Sequence, residues 1–323
     1  MPKLQPVIGH STILSELTLD IEASNVTHAY LFSGPAHVGK MTVAHWFASQ
    51  LLCSGLPEEQ HAACFRQIEK LTHPDLLVLD QLWIEDVCDD WNVIARTSNA
   101  PQVHRAKKPA AKTDTISIDD IRALQERLYE TATGKHRCCI IRSVERMQAA
   151  AANAFLKILE EPPSGLVFIL TTQALSSLLP TVISRARVLR FRRLPHAQLL
   201  RLLDGVPEDD QQFILRIAQG APGVACMLRD DPDALRAHRQ IASRARAFWE
   251  REAIEDRLRT LSLLEKRGAE AEQFLLHLAL ALREHSPSPS SVDAFHALAQ
   301  GLQTNAHRKL LVQRFALALE GAE

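Results

Sequence analysis

The run Gly34-Pro35-Ala36-His37-Val38-Gly39-Lys40 sets two glycines and a lysine at Gly-x-x-x-x-Gly-Lys spacing. Such a turn binds phosphate, because successive backbone N–H groups and a helix N-terminus converge on the oxygens while the lysine adds a point charge. Gly34, Gly39, Lys40 and Thr42 are therefore read as a nucleotide site, but a degenerate one. Met41 stands where a serine or threonine hydroxyl would hold Mg2+. Thr42 cannot replace it, since one residue turns about 100° around a helix and carries the side chain off the metal face. Downstream, the apolar run Cys138-Cys139-Ile140-Ile141 ends in Arg142-Ser143. Hydrolysis needs acids there, for the metal and for the attacking water. Glu145 is close in sequence but is read as a helix-start or surface acid. The expectation is a site that holds ATP or ADP without turnover and is ill-suited to Mg2+.

Placing those residues requires a strand before the turn and a helix after it, and the sequence offers both. Ala29–Ser33 is an apolar strand candidate and Met41–Leu52 a helix candidate. Further strands are expected at Leu76–Asp80, Cys138–Ile141, Val167–Thr171 and Val188–Phe191. Their apolar content without clean alternation suits strands buried on both faces of a parallel sheet. Helices are expected at Thr12–Ala23, Ile118–Thr131 and Ala149–Glu161, the last stopped by Pro162-Pro163. Strands alternating with helices define an α/β domain. Between Leu82 and Thr113 the pattern dissolves into an acidic cluster and a basic, Pro- and Ala-containing stretch, read as a surface insertion. Contact of that stretch with DNA is the lesser reading, since short charge runs are usually solvated. After Pro195 only helical periodicity remains, at His196–Asp204, Asp209–Gln219, Ala234–Glu250, Asp256–Lys266, Glu270–His285, Val292–Gln303 and Ala306–Glu320.

Composition narrows the function classes. The 323 residues allow two or three domains, and 46% hydrophobic with 23% charged residues is ordinary for a soluble globular chain. A net charge of −1 carries no global basic field for nucleic acid. No apolar stretch reaches the roughly 18 residues of a membrane span. The start, Met1-Pro2-Lys3-Leu4-Gln5-Pro6, lacks the apolar core of a secretion signal, so a cytoplasmic location is expected. The six cysteines, Cys53, Cys64, Cys88, Cys138, Cys139 and Cys226, show no paired spacing. They are read as reduced thiols used as small apolar residues.

Several segments appear in one order: Thr27-His28-Ala29-Tyr30-Leu31-Phe32-Ser33-Gly34, His73-Pro74-Asp75-Leu76, Ala151-Ala152-Asn153-Ala154-Phe155-Leu156-Lys157-Ile158-Leu159-Glu160-Glu161-Pro162-Pro163 and Ile183-Ser184-Arg185. Together they resemble the bacterial clamp-loader branch of the AAA+ ATPases, and within it the delta-prime subunits of DNA polymerase III. Asn305-Ala306-His307-Arg308-Lys309-Leu310 is similar to that family's last collar helix, so the resemblance covers nearly the whole chain. It implies an AAA+ domain with a parallel five-stranded sheet over residues 1–194, carrying the 82–113 insertion. A helical lid at 195–231 and a helical collar at 232–323 would follow. It also implies a ring with motor (gamma/tau-type) and delta-type subunits that acts on the sliding clamp and primed DNA. The family's arginine finger corresponds to Arg185 in Ser184-Arg185-Ala186, reaching into a neighbour's ATP site. Thr172 corresponds to the first sensor, while Val224, after Gly220-Ala221-Pro222-Gly223, cannot serve as the basic second sensor. Of the four cysteines that hold zinc in the family only Cys53 and Cys64 are present, so no zinc is expected.

Magnesium, acid and sensor positions have changed while the outgoing arginine is kept. That pattern is read as a stator, a subunit that completes a neighbour's site and fires none of its own. Two other readings stay open at this point: an active motor-type ATPase, and an AAA+ paralogue serving another assembly. Arg185 pairing with an acid on its own surface is the plain alternative to a role in trans.

Overall fold

The computed structural model describes residues 7–100, 114–130, 132–250, 253–285 and 288–320. The chain divides into two compact units, Met1–Cys226 and Met227–Glu323. In the first, helix α1 (Ser11–Glu22) precedes strand β1 (Ala29–Ser33), followed by α2 (Lys40–Cys53), α3 (Glu58–Glu69) and β2 (Leu76–Leu79). Then come α4 (Gln81–Val87), α5 (Trp91–Thr97), α6 (Ile118–Leu128), β3 (Arg137–Ile141) and α7 (Ala149–Glu160). The unit continues with β4 (Leu166–Thr172), the short α8 (Pro180–Ile183), β5 (Arg187–Arg190), α9 (His196–Leu200) and α10 (Glu208–Ala218).

All five strands are parallel, in the order β2-β3-β4-β1-β5. Each strand feeds both faces. Tyr30 and Phe32 of β1 and Cys138 and Ile140 of β3 join Phe47 of α2 and Ile68 of α3 in one apolar cluster. Ala29 and Leu31, with Cys139 and Ile141, join Leu124 of α6 and Phe155 of α7 in the other. A sheet clothed on both sides needs apolar residues on both faces, which is why β1 to β4 read as largely apolar runs, whereas the edge strand β5 keeps Arg187 and Arg190 at its ends. Strand β1 lies between β4 and β5, and the chain leaves it first for the far side of β4 and β3. In open α/β sheets such a reversal opens a crevice beyond the strand carboxyl ends, the usual place for a ligand.

Residues 81–100 differ from the expected insertion. Helices α4 and α5 are present, and Ile84, Val93, Ile94 and Ala95 are buried. Asp80, read as the end of a strand, and Asp90, read as part of an acidic cluster, cap these helices by accepting N–H from Trp83 and Asn92. The carbonyls ending α5 are met by the buried guanidinium of Arg127, which donates to Ala95, Arg96, Ser98 and Ala100. Seven-residue helices hold fewer than two full periods, too little for a periodicity signal. The basic stretch 104–109 lies outside the described residues.

The cysteines also depart from expectation. Cys53, ending α2, and Cys64, within α3, are joined in a disulfide with Cα atoms 6.3 Å apart. The close packing of α2 against α3 brings together two residues that spacing alone does not mark as partners. The other four are free; Cys138 and Cys139 are fully buried, which pushes their thiols up, as expected for apolar use.

Helix α11 (Pro222–Asp230) follows. The second unit is helical throughout its described residues: α12 (Pro232–Glu250), α13 (Ile254–Leu261), α14 (Ala269–Glu284), α15 (Pro289–Leu302) and α16 (Arg308–Glu320). Its core gathers Phe248, Leu261, Phe274, Leu278, Leu302 and Phe315. Buried within it, His238 Nδ1 lies 3.0 Å from His277 Nε2.

Candidate nucleotide site

The turn from β1 into α2 sits at the crevice. Gly34 donates its N–H to Thr172 O at 3.2 Å, and a Cβ there would collide with the Phe191 carbonyl. Gly39 caps α2 at φ +98°, a left-handed conformation that glycine adopts without steric cost. His37 is also left-handed, at φ 59°. Two outside residues hold the turn. His10 Nε2 stands 2.8 Å from Val38 O, which assigns its proton to that nitrogen, and its ring packs on Phe191. Gly223, in the first turn of α11, donates to His37 O at 2.9 Å. A side chain at 223 would press on His37, so glycine permits this approach.

A cavity of about 390 Å³ opens over the turn. Gly39, Lys40 and Thr42 line it, with His10, His37, Met41, Arg142, Thr171 and Gln173. Lys40 is 9% exposed and its Nζ donates to the carbonyls of Gly34 and Pro35, each at 2.6 Å. Burial pulls its pKa down to about 8; Glu145 pulls upward and Arg142 downward. His37 is also lowered, by burial and by the charges of Arg142 and Lys40. Thr172 is fully buried, and its hydroxyl is engaged with the backbone of Ala174, so its neighbours Thr171 and Gln173 face the cavity. Glu145 lies in a short 3-10 turn after β3, where Oε1 accepts the N–H of Gln173 at 3.2 Å.

The residues present do not suit Mg2+. The first helical side chain after Lys40 is the thioether of Met41, and the β3 end presents the Arg142 guanidinium to the same cavity. A hard divalent cation takes oxygen ligands, and a guanidinium only repels it. The sequence treats Arg142 as a lost ligand; its place on the cavity wall makes it a cation in the site, a role that a motif aligned on acids does not reveal. His10 was likewise unmarked, since it lies 24 residues before Gly34 and reaches the turn only through the packing of α1.

Arg185 lies in the turn between α8 and β5, away from this cavity's lining. Its guanidinium donates to Thr181 O at 3.0 Å and to Glu160 Oε1 at 2.8 Å, with side chains 35% and 50% exposed. The acid belongs to the Leu159-Glu160-Glu161-Pro162-Pro163 stretch ending α7. No helix among the described residues is long and apolar enough to cross a membrane.

The family model described as DNA polymerase III, delta subunit, matches residues 9–195, more than half of the chain. The chain belongs to this family, and so to the clamp-loader subunits of DNA polymerase III, and its α/β fold has the five-stranded parallel sheet described above. The delta' subunit of Pseudomonas aeruginosa is 31% identical over 204 residues, covering 60% of this chain and 53% of that protein. The gamma/tau subunit of Mycobacterium tuberculosis is 29% identical over 228 residues, 67% of this chain and 34% of that protein. The chain thus spans about a third to a half of these relatives' lengths. A gamma subunit-related DNA polymerase III protein of Thermotoga maritima superposes with a TM-score of 0.48 at 16% identity, over 95% of this chain and 99% of that one.

Proposed function

We propose that this chain is a delta-prime-type stator of a clamp loader. It assembles with motor (gamma/tau-type) and delta-type subunits in the cytoplasm, supports loading of the sliding clamp on primed DNA, and gives Arg185 to a neighbouring ATP site. The observation that carries the reading is the contrast between two sites on one fold. The cavity over Gly34–Lys40 holds Met41 and Arg142 where metal chemistry needs a hydroxyl and acids, while Arg185 is kept at an accessible turn. Membership of the family supports the same assignment.

The Arg185–Glu160 pair does not oppose this. An ion pair so exposed is worth about 0–1 kcal/mol, so a charged phosphoryl group on a neighbour can take the guanidinium over. An active motor subunit is disfavoured by Arg142, which no rotamer change turns into a metal ligand. Incubated alone with Mg2+ and ATP, the purified chain is expected to release no phosphate above the protein-free blank. In gel filtration it should co-elute with gamma/tau-type and delta-type subunits. Steady turnover by the isolated chain, or failure to co-elute, overturns the proposal.

A further inference from the structure

The walls of the cavity over the phosphate-binding turn contain no carboxylate among their lining residues. The charged groups facing it are Lys40 and Arg142, with the imidazoles of His10 and His37 beside them. Among the described residues, neither cation has a carboxylate within hydrogen-bond distance. Lys40 spends its hydrogen bonds on two backbone carbonyls of its own turn. Arg142 has only a long contact to Asp80, 3.7 Å, and the same Asp80 oxygen is held by Arg146 at 2.5 Å. Glu145 pulls the pKa of Lys40 upward; its Oε1 accepts the Gln173 N–H, while its Oε2 is buried without a hydrogen-bond partner. Beyond burial, Arg142 and Lys40 push His37 downward, while at Lys40 the downward push of Arg142 is countered by the upward pull of Glu145.

A phosphate-binding loop ordinarily balances a di- or triphosphate with one lysine and a divalent cation. Here the cation's side of the cavity carries a guanidinium, whose planar donors match phosphate oxygens two at a time. Val7, Ile8 and Leu202 are also among the lining, apolar side chains against which a base can pack. We infer that the site takes a nucleoside diphosphate without any divalent metal, with Arg142 supplying the countercharge that Mg2+ supplies elsewhere. The inference concerns this cavity alone and stands whether or not Arg185 acts in trans.

The test is isothermal titration of the full chain with ADP and, separately, with pyrophosphate, in buffer containing either Mg2+ or EDTA. ADP is expected to bind with the same Kd in both buffers within about twofold. Arg142→Ala should weaken it by about tenfold or more in both, and Arg142→Lys by less. Pyrophosphate should bind more weakly than ADP. Melting curves of both variants separate a lost ligand contact from a lost fold. The inference is overturned if wild-type affinity collapses in EDTA, if a folded Arg142→Ala variant binds like wild type, or if ADP binds in neither buffer. Pyrophosphate binding as tightly as ADP would overturn the nucleoside part, leaving an anion site.

Discussion

His45 of α2 shows how one side chain can make this fold acid-sensitive. Its Nε2 is buried without a hydrogen-bond partner, its ring lies 5.3 Å from that of Trp83, and burial pulls its pKa down to about 4. The unfolded chain binds a proton at His45 near pH 6.5, whereas the folded chain resists until about 4. A lowered folded-state pKa means that stability is full above 6.5 and falls as pH drops towards 4. His10, His37, His73, His136 and His238 are all lowered by burial and add to the same slope. Urea unfolding at pH 7 and pH 5 should therefore show a loss on acidification, of which His45 accounts for about 2 kcal/mol. His45→Phe should remove that share; an unchanged slope would place the proton elsewhere. Asp75 adds to the same acid sensitivity at lower pH, by a different cause. Burial raises its pKa, but the N–H and hydroxyl of Thr133 and the guanidinium of Arg137 outweigh burial and leave it lowered. Its contribution is lost only in stronger acid, as pH falls through that lowered value.

At the scale of elements, what the sequence made legible follows how each signal arises. All five strands were readable: burial on both faces writes a largely apolar run such as Ala29–Ser33 or Leu166–Thr172, and the edge strand β5 keeps the apolar pair Val188-Leu189. Helix α7 was readable from Ala152, Phe155 and Leu159 on one face, and its end from Pro162-Pro163. Helix α3 was missed: it buries little more than Cys64 and Ile68 and has a low mean hydrophobic content, so its twelve residues resemble a solvated loop. Helix α11 was not expected, although Pro222 in Gly220-Ala221-Pro222-Gly223 opens it. In the site, Gly34, Gly39 and Lys40 were legible from spacing, while Arg142 and His10 were fixed only by tertiary placement. The Cys53–Cys64 link is another tertiary fact. It closes an 11-residue separation between α2 and α3. Cys53→Ser should cost about 2–3 kcal/mol against the oxidised protein, and reductant should bring wild type down to the variant. Equal denaturation midpoints for oxidised wild type and variant would show that the link adds nothing.

For the molecule as a whole, the two compact units invite separate accounts. Met1–Cys226 carries every residue of the cavity and Arg185, and the family match lies within it. Met227–Glu323 has a helical core built on Phe248, Phe274 and Phe315. The central claim is that the chemistry enabled by this chain happens in a neighbour's site. It is tested most directly by DNA- and clamp-stimulated ATP hydrolysis of the reconstituted loader, comparing wild type with Arg185→Ala after gel filtration shows intact complexes. The account predicts a fall of about tenfold or more, equivalent to roughly 1.4 kcal/mol or more of barrier. An unchanged rate in an intact complex would contradict it, leaving Arg185 as the surface partner of Glu160.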